Sequence, residues 1–553
     1  MNIKQIFKYQ PQKKYNFTLT PPSQINTKPQ ETNKDIQSDI SLNIKYVKSK
    51  YNTKINSDII LREFSLTAKN KNYKAFLLYI DGMVDSDLIN RFVLNPLMLR
   101  NDSNTFDGSL KEEKQSNDAQ ISVKKVKKFN LENYIYSNLM PQNSLQKITS
   151  FENAFSGANS GNCVLFVDTI NVAFDIDVKG FKQRSVESPN NEVIIKGSQE
   201  AFVENLRTNT SLLRRIINNE NLIIENATIG NVSNTKLAIC YMNNIANPKL
   251  VNEVKYRLNN LELDSIFSSG QLEQLIEDDD YIGIPSLIST ERPDKCANFL
   301  MQGRVVILMN GTPYATTAPA VLIDFLSSPE DNNLKVFFAN FLKVLRFIAY
   351  FITLLAPGFF IAITSFHQEL IPTELLFSIL ASRQSVPFPI LFELLLMEIS
   401  FELIRESSLR IPGPVGATLG IVGALILGDA AVTAHIISPI LIIVVAITGL
   451  SSFAIPDFSF SFHLRVYRFL FILIGYIAGF LGIGLGLFIY ISMLCGMKSF
   501  GVDFTSPLTP FLSLGPNGYF IKPTWKQEKR ASYLIPKKPY SQPKISKKWK
   551  YNN

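Results

Sequence analysis

The residues best placed to do chemistry in this sequence are acids set inside an apolar run. Residues 388–404, FPILFELLLMEISFELI, carry Glu393, Glu398 and Glu402. On a helix Glu398 and Glu402 share a face at i,i+4, while Glu393 points elsewhere. A carboxylate facing lipid is costly. The segment is therefore expected either to lie on a membrane surface as an amphipathic helix or to form a vestibule or pore helix that attracts cations. A second group reads Gly428-Asp429-Ala430-Ala431-Val432-Thr433-Ala434-His435. Small residues, one acid, a hydroxyl and a histidine suit a pore-lining helix, with Val432 as a narrow apolar gate and Asp429, Thr433 and His435 as its polar neighbours. The alternative is that Asp429 and His435 mark a helix end at the interface.

Other candidates are weaker. Arg292, Pro293 and Asp294 read as a proline-set turn with a local ion pair. Asp278-Asp279-Asp280 lacks the Gly and Glu of a calcium loop and reads as a solvated loop. The sequence has no GxxxxGK[ST], HExxH, GxSxG or paired-cysteine motif. No catalytic site, metal site or cofactor is therefore expected, and the protein is not expected to be an enzyme. Cys163, Cys240, Cys296 and Cys495 all sit in apolar surroundings, which argues against a disulfide framework.

The elements that must carry these residues follow from composition. The chain has 553 residues, of which 46% are hydrophobic and 19% charged. Both values hold only if the two kinds are segregated. The net charge of +9 lies wholly in residues 520–553, with ten Lys/Arg and one Glu, so the rest sums to zero. That excludes a basic, nucleic-acid-binding fold. Residues 336–500 contain only 16 charged side chains in 165. Within them 344–366, 412–428, 432–453 and 466–495 approach or exceed the ~20 residues that span a bilayer, the last being long enough to tilt. Gly416, Gly420 and Gly423, and then Gly475, Gly479, Gly482 and Gly486, form stripes that let helices approach closely, within the chain or between subunits.

The expected architecture is a multi-domain chain: an α/β head of two related subdomains, then an α-helical transmembrane domain of about four spans plus the amphipathic helix. Its parts are a disordered arm (1–45), a first subdomain (46–180) with a polar insertion at 101–118, a connecting helix and second subdomain (181–335), the membrane domain (336–500) and a basic, proline-containing tail (501–553). The duplication rests on residues 75–92 matching 237–254 at an offset of 162, and 163–170 matching 304–311 at an offset of 141. The connecting helix is expected over 198–218, with Leu206, Leu212, Leu213, Ile216 and Ile217 as its apolar face. The amino end lacks the apolar run of a secretory signal. The basic tail belongs on the cytoplasmic side, and so does the head, which requires an even number of spans.

Strings spread along the chain resemble the A subunit of GerA-type spore germinant receptors. They are Thr290-Glu291-Arg292-Pro293-Asp294, Gly303-Arg304-Val305, Gly311-Thr312-Pro313, Ile371-Pro372, Ser385-Val386-Pro387-Phe388-Pro389, Phe401-Glu402-Leu403-Ile404-Arg405-Glu406, Ile421-Val422-Gly423-Ala424-Leu425-Ile426-Leu427-Gly428 and Ser499-Phe500-Gly501. Two stretches depart from the family pattern, Gly197-Ser198-Gln199-Glu200 and Glu406-Ser407-Ser408-Leu409-Arg410. The resemblance implies residence in the inner spore membrane, with head and tail on the core side. The implied partners are a permease-like B subunit, a lipoprotein C subunit, membrane lipids and further copies of the chain in a pentamer. The implied function is a nutrient-gated ion channel that triggers germination. A non-conducting scaffold or a secondary transporter would be the alternatives.

Overall fold

The computed structural model describes residues 17–22, 35–68, 71–98, 130–180, 189, 192–278, 283–409, 428–509, 520–543, 546 and 549. The insertion at 101–118, Asp279, Asp280 and the glycines Gly416, Gly420 and Gly423 lie outside them.

The head is built twice. The first copy holds α1 (Ile40–Lys50), β1 (Ile59–Ala68), β2 (Lys71–Ile80), β3 (Leu145–Ile148), α2 (Phe151–Asn159), β4 (Cys163–Val167) and β5 (Ala173–Ile176). The second holds α3 (Leu206–Ile216), β6 (Leu222–Ile229), β7 (Thr235–Met242), α4 (Pro248–Asn259), α5 (Ser269–Ile276), β8 (Ile288–Thr290), α6 (Pro293–Gln302), β9 (Val305–Met309) and β10 (Ala315–Ala318). The sheets run β1-β2-β4-β5-β3 and β6-β7-β9-β10-β8, the same order, with antiparallel neighbours. Most helices start where a short polar side chain accepts a backbone N–H: Asp39 before α1, Ser150 before α2, Asn205 before α3, Asn247 before α4 and Ser268 before α5. Each cap satisfies a donor that the helix cannot. Strands β4 (CVLFV) and β9 (VVILM) are buried throughout, because helices and loops cover both faces of each sheet.

Register corrects one detail of the duplication. Leu77 pairs with Leu165 in the first sheet, and Ile239 with Ile307 in the second. The β4–β9 offset is therefore 142, not 141. A one-residue slip sends every side chain of a strand to the opposite face, and two apolar runs compared as strings do not reveal it. The connecting helix is also shorter than expected, Leu206–Ile216, with Leu212, Leu213 and Ile217 buried but Ile216 exposed.

Both ends of the chain pack against the head over part of their described length. Leu19 and Leu534 are buried in the core of the second copy. The Asn247 side-chain amide donates to Thr20 O (3.1 Å) and Ile535 O (3.2 Å), tying both ends to the start of α4. The buried Arg304 guanidinium forms a bidentate pair with Asp324 (2.6 and 2.9 Å) and reaches the Tyr533 hydroxyl (3.3 Å). So 17–22 belongs to the head rather than to a disordered arm, and 520–543 is a strap across the head.

The helical domain comprises α7 (Val336–Phe366), α8 (Thr373–Arg383), α9 (Ile390–Leu409), α10 (Pro439–Phe453) and α11 (Phe458–Gly496). Among the described residues, α7 and α11 are long and apolar enough to cross a membrane. The expected fourth span does not tilt as one rod. Gly479 has φ 58° and ψ −141°, which breaks α11 into 458–478 and 480–496. The halves fold back on each other: Tyr490 lies within 3.3 Å of both His463 Nε2 and the Tyr350 hydroxyl of α7. The expected third span is also interrupted. Its helix is Pro439–Phe453, preceded by a turn in which His435 adopts φ 55°. The expected second span, 412–428, lies outside the described residues except for Gly428.

The second glycine stripe packs within the chain. A Cβ on Gly475 would meet Gly358 O at 2.8 Å, and one on Gly482 would meet Ile474 O at 2.8 Å. The head and helices share one core, in which Phe325 stacks on Phe460 (5.4 Å) and Tyr350 on Phe460 (6.0 Å), with Phe504 beside Phe325. Asp278 is part of this junction rather than a solvated loop. It accepts from Arg257 Nη2 and from Phe500 N, both at 2.6 Å.

Two outcomes follow. Gly479→Ala places a side chain in backbone space that favours glycine and against His367 Cε1 (2.9 Å). It should cost about 1–3 kcal/mol, read as a lower melting point of detergent-solubilised protein, whereas Gly484→Ala, which meets nothing within 4 Å, should not. Burial pushes the Glu273 carboxyl up to about 7, against hydrogen bonds from Ser289 and Thr316. A raised folded-state value means that its stabilisation is full below about pH 4.5 and is lost as pH rises through about 7. By pH 8 the loss is of order 3 kcal/mol. Glu273→Gln should flatten the pH dependence of head melting and make the head more stable than wild type at pH 8.

Candidate functional site

The carboxylates of 388–404 lie on α9, a helix that packs against its neighbours on one side and exposes Phe392, Ile399 and Leu403 on another. Five charged side chains meet there. Glu398, fully buried, pairs with the equally buried Arg468 of α11 at 2.9 Å. Arg468 also reaches Glu402 at 3.0 Å, and Arg465 pairs with the same Glu402. Arg405 lies 3.9 Å from Glu402, donates to Ser452 Oγ at the end of α10 (2.6 Å) and stacks over the Phe453 ring (4.2 Å). The group holds three guanidinium and two carboxylate charges, a surplus of one positive charge. It joins α9, α10 and α11 over sequence distances of up to 70 residues.

The satisfaction of this group is incomplete among protein atoms. Both Glu398 oxygens, Arg468 Nη1 and Nε, and the Nε atoms of Arg405 and Arg465 are buried without a protein hydrogen bond. Such a network gains less than its charges suggest, because desolvation offsets much of the attraction. Breaking it from one side leaves an uncompensated charge.

Glu393 has a different setting. It is buried, lies 3.4 Å from Arg383 of α8, and accepts from Ser438 N (3.2 Å) where α10 begins. A carboxylate at a helix start offsets the partial positive charge of its free N–H groups. Glu393, Glu398 and Glu402, the expected cation-attracting residues, thus each lie beside a guanidinium that offsets their charge.

Asp429, Val432, Thr433 and His435 lie on the helical turn and loop before α10. His435 Nδ1 lies 3.2 Å from Ser385 Oγ in the α8–α9 loop, and Thr433 donates to Asp429 O (2.9 Å). Asp429, Thr433 and His435 are exposed and Val432 is partly so. Arg292 and Asp294 pair at 2.9 Å with Pro293 in the first turn of α6, and the Arg292 guanidinium is wholly buried. No group of three or more His, Cys, Asp or Glu suited to a metal occurs among the described residues.

Sequence reasoning passed over Arg405, Arg465 and Arg468. Arginine in an apolar segment was the available signal, and 465 and 468 share a helix face at i,i+3. It also passed over a cavity of about 440 Å³ between the two copies of the head. Asp85, Ser86 and Asp87 line it from the first copy, and Asn205, Arg207 and Thr208 from the start of α3.

Removing one partner of the central pair, by Glu398→Ala or Arg468→Ala, should cost about 3–5 kcal/mol. The double variant Glu398→Gln/Arg468→Met should recover most of the loss. Melting of the four proteins in one detergent compares each single loss with the recovery in the double variant.

The comparisons with known proteins cover head and helices together. The family model for the Bacillus/Clostridium GerA spore germination protein matches residues 45–533. Spore germination protein KA of Bacillus subtilis (strain 168) is 38% identical over 475 residues, 86% of this chain and 83% of that one. Spore germination protein B1 of the same organism is 34% identical over 473 residues, 86% and 92% of the two chains. A crystal structure of the N-terminal domain of the A subunit of the Bacillus megaterium spore germinant receptor GerK3 is 30% identical, covers 53% of this chain and 99% of that one, and has a TM-score of 0.39. The chain belongs to the GerA spore germination family, as a germinant-receptor A subunit.

Proposed function

We propose that the chain is the signal-transmitting and ion-conducting subunit of a nutrient receptor in the inner spore membrane. It assembles with further copies of itself as a pentamer, together with a permease-like B subunit and a lipoprotein C subunit. Head and tail lie on one side of the bilayer, the core side. The observation that carries this reading is the shared core of head and helices, Phe325 with Phe460, Tyr350 and Phe504. A displacement of the head cannot leave the helices unmoved, since packed interiors do not deform continuously.

The conducting path in this reading is lined by Asp429, Val432 and Thr433, with His435 at the turn. The exposed Asp429 supplies the carboxylate that favours cations, now that the α9 glutamates are paired. Nutrient binding shifts the closed–open equilibrium by its differential affinity for the two states, and by no more. Val432 supplies an apolar constriction that excludes water when closed. Its removal should raise conductance in the absence of nutrient. The measurement is planar-bilayer current from the receptor reconstituted with its partner subunits, comparing wild type and Val432→Ala. An unchanged closed-state current removes Val432 as the gate, and no nutrient-evoked current in either protein favours the scaffold alternative.

A further inference from the structure

We infer that residues 192–198 of the head form a rigid loop that inserts its crown into the headgroup layer of the bilayer beside α7. The argument begins with Arg292, whose guanidinium is wholly buried. It donates from Nη1 to Glu192 O (3.0 Å) and from Nη2 to Ser198 O (2.7 Å), so one side chain closes both ends of the loop. The Glu192 amide donates in turn to Glu291 (2.9 Å), the residue preceding Arg292. Asp294 holds the guanidinium in place at 2.9 and 3.1 Å.

The crown held in this way is unusual for a soluble surface. Ile194 is buried and its carbonyl accepts from Gln199 (3.0 Å), while Val193 and Ile195 are 70% and 92% exposed. A loop closed by a buried arginine presents two branched apolar side chains outward, where a free loop could fold them in. An exposed apolar patch of this kind marks an interaction site.

The position of the crown selects the occupant. Asn333 donates its side-chain amide to Lys196 O (2.7 Å), which ties the crown to the residues just before α7. The first turns of α7 expose Phe337, Phe338 and Phe341, while Lys343 and Arg346 turn inward to Ser327 and Asp331. Three exposed phenylalanines at the start of an apolar helix call for an apolar surrounding, which the edge of the bilayer supplies. The loop is thus continuous with an apolar belt, and the exposed Lys196 and Lys335 flank it with positive charge that suits anionic headgroups. The occupant is the lipid surface itself. The Arg292 motif then positions the head on the bilayer and binds no nutrient.

This rests on the reading that α7 enters a membrane, and the test separates the two. In a Cys495→Ser background, which leaves three buried cysteines, spin labels go on Ile195→Cys, on Ile348→Cys of α7 and on Val232→Cys, a 74% exposed head residue. The full chain is placed in nanodiscs of phosphatidylcholine with and without phosphatidylglycerol. Collisions with oxygen and with a water-soluble nickel chelate are then measured. The Ile348 label should see oxygen and no nickel, and the Val232 label should see nickel. The Ile195 label should lose nickel collisions and gain oxygen, more so with phosphatidylglycerol. Nickel access at Ile195 equal to that at Val232 overturns the proposal, and so does shielding from both reagents, which would mean a protein partner or a second copy covers the loop. Equal immersion in both lipids overturns the role of Lys196 and Lys335. Nickel access at Ile348 overturns the membrane reading on which the proposal stands.

Discussion

The helical domain depends on a charge group that is expensive to bury. Glu398, Glu402, Arg405, Arg465 and Arg468 meet between α9, α10 and α11. Apolar packing between such helices is nearly non-directional, since lipid is as apolar as the helix surfaces. Pairing of specific charges fixes which helix faces which, because every other arrangement leaves a charge in a poor medium. The same group lets α9 carry Glu398 and Glu402 on its packed face.

Around that constraint the domain uses small residues for close approach. Gly358 and Gly475 bring α7 and α11 to backbone contact, and Gly479 lets α11 reverse. The returning half delivers Ser499, Phe500 and Phe504 to the head, where the Ser499 hydroxyl donates to Ser286 O (2.6 Å) and accepts from Ala320 N (3.0 Å). The head therefore meets the helices through both the entry to α7 and the exit from α11. The second copy of the duplicated head makes this junction, with its core extended by Leu19, Ala531 and Leu534 from the two ends of the chain.

Much of the head was legible in local patterns. The duplicated strand–turn–helix strings and the apolar runs at 163–170 and 304–311 correspond to β2 and β7 and to β4 and β9, because buried central strands are marked by composition alone. Their exact register was not legible, since two apolar strings align almost equally well one residue apart. The packed arm and strap were missed for a related reason: a few apolar residues such as Leu19 and Leu534 inside polar segments carry no periodic signal. In the helical domain, Glu393, Glu398 and Glu402 were visible as anomalies, but their arginine neighbours were not, because most of them are remote in sequence.

By itself the sequence determined the division of the chain into a mixed head and an apolar helical part, the duplication and the family, all of which rest on composition and local order. The tertiary structure alone decided the reversal at Gly479, the interruption before α10 and the pairing of acids with arginines. Each of these depends on which helix faces meet. A side chain's charge is written in its own position, but whether that charge is free or cancelled is written in a neighbour's, and only packing brings the two together.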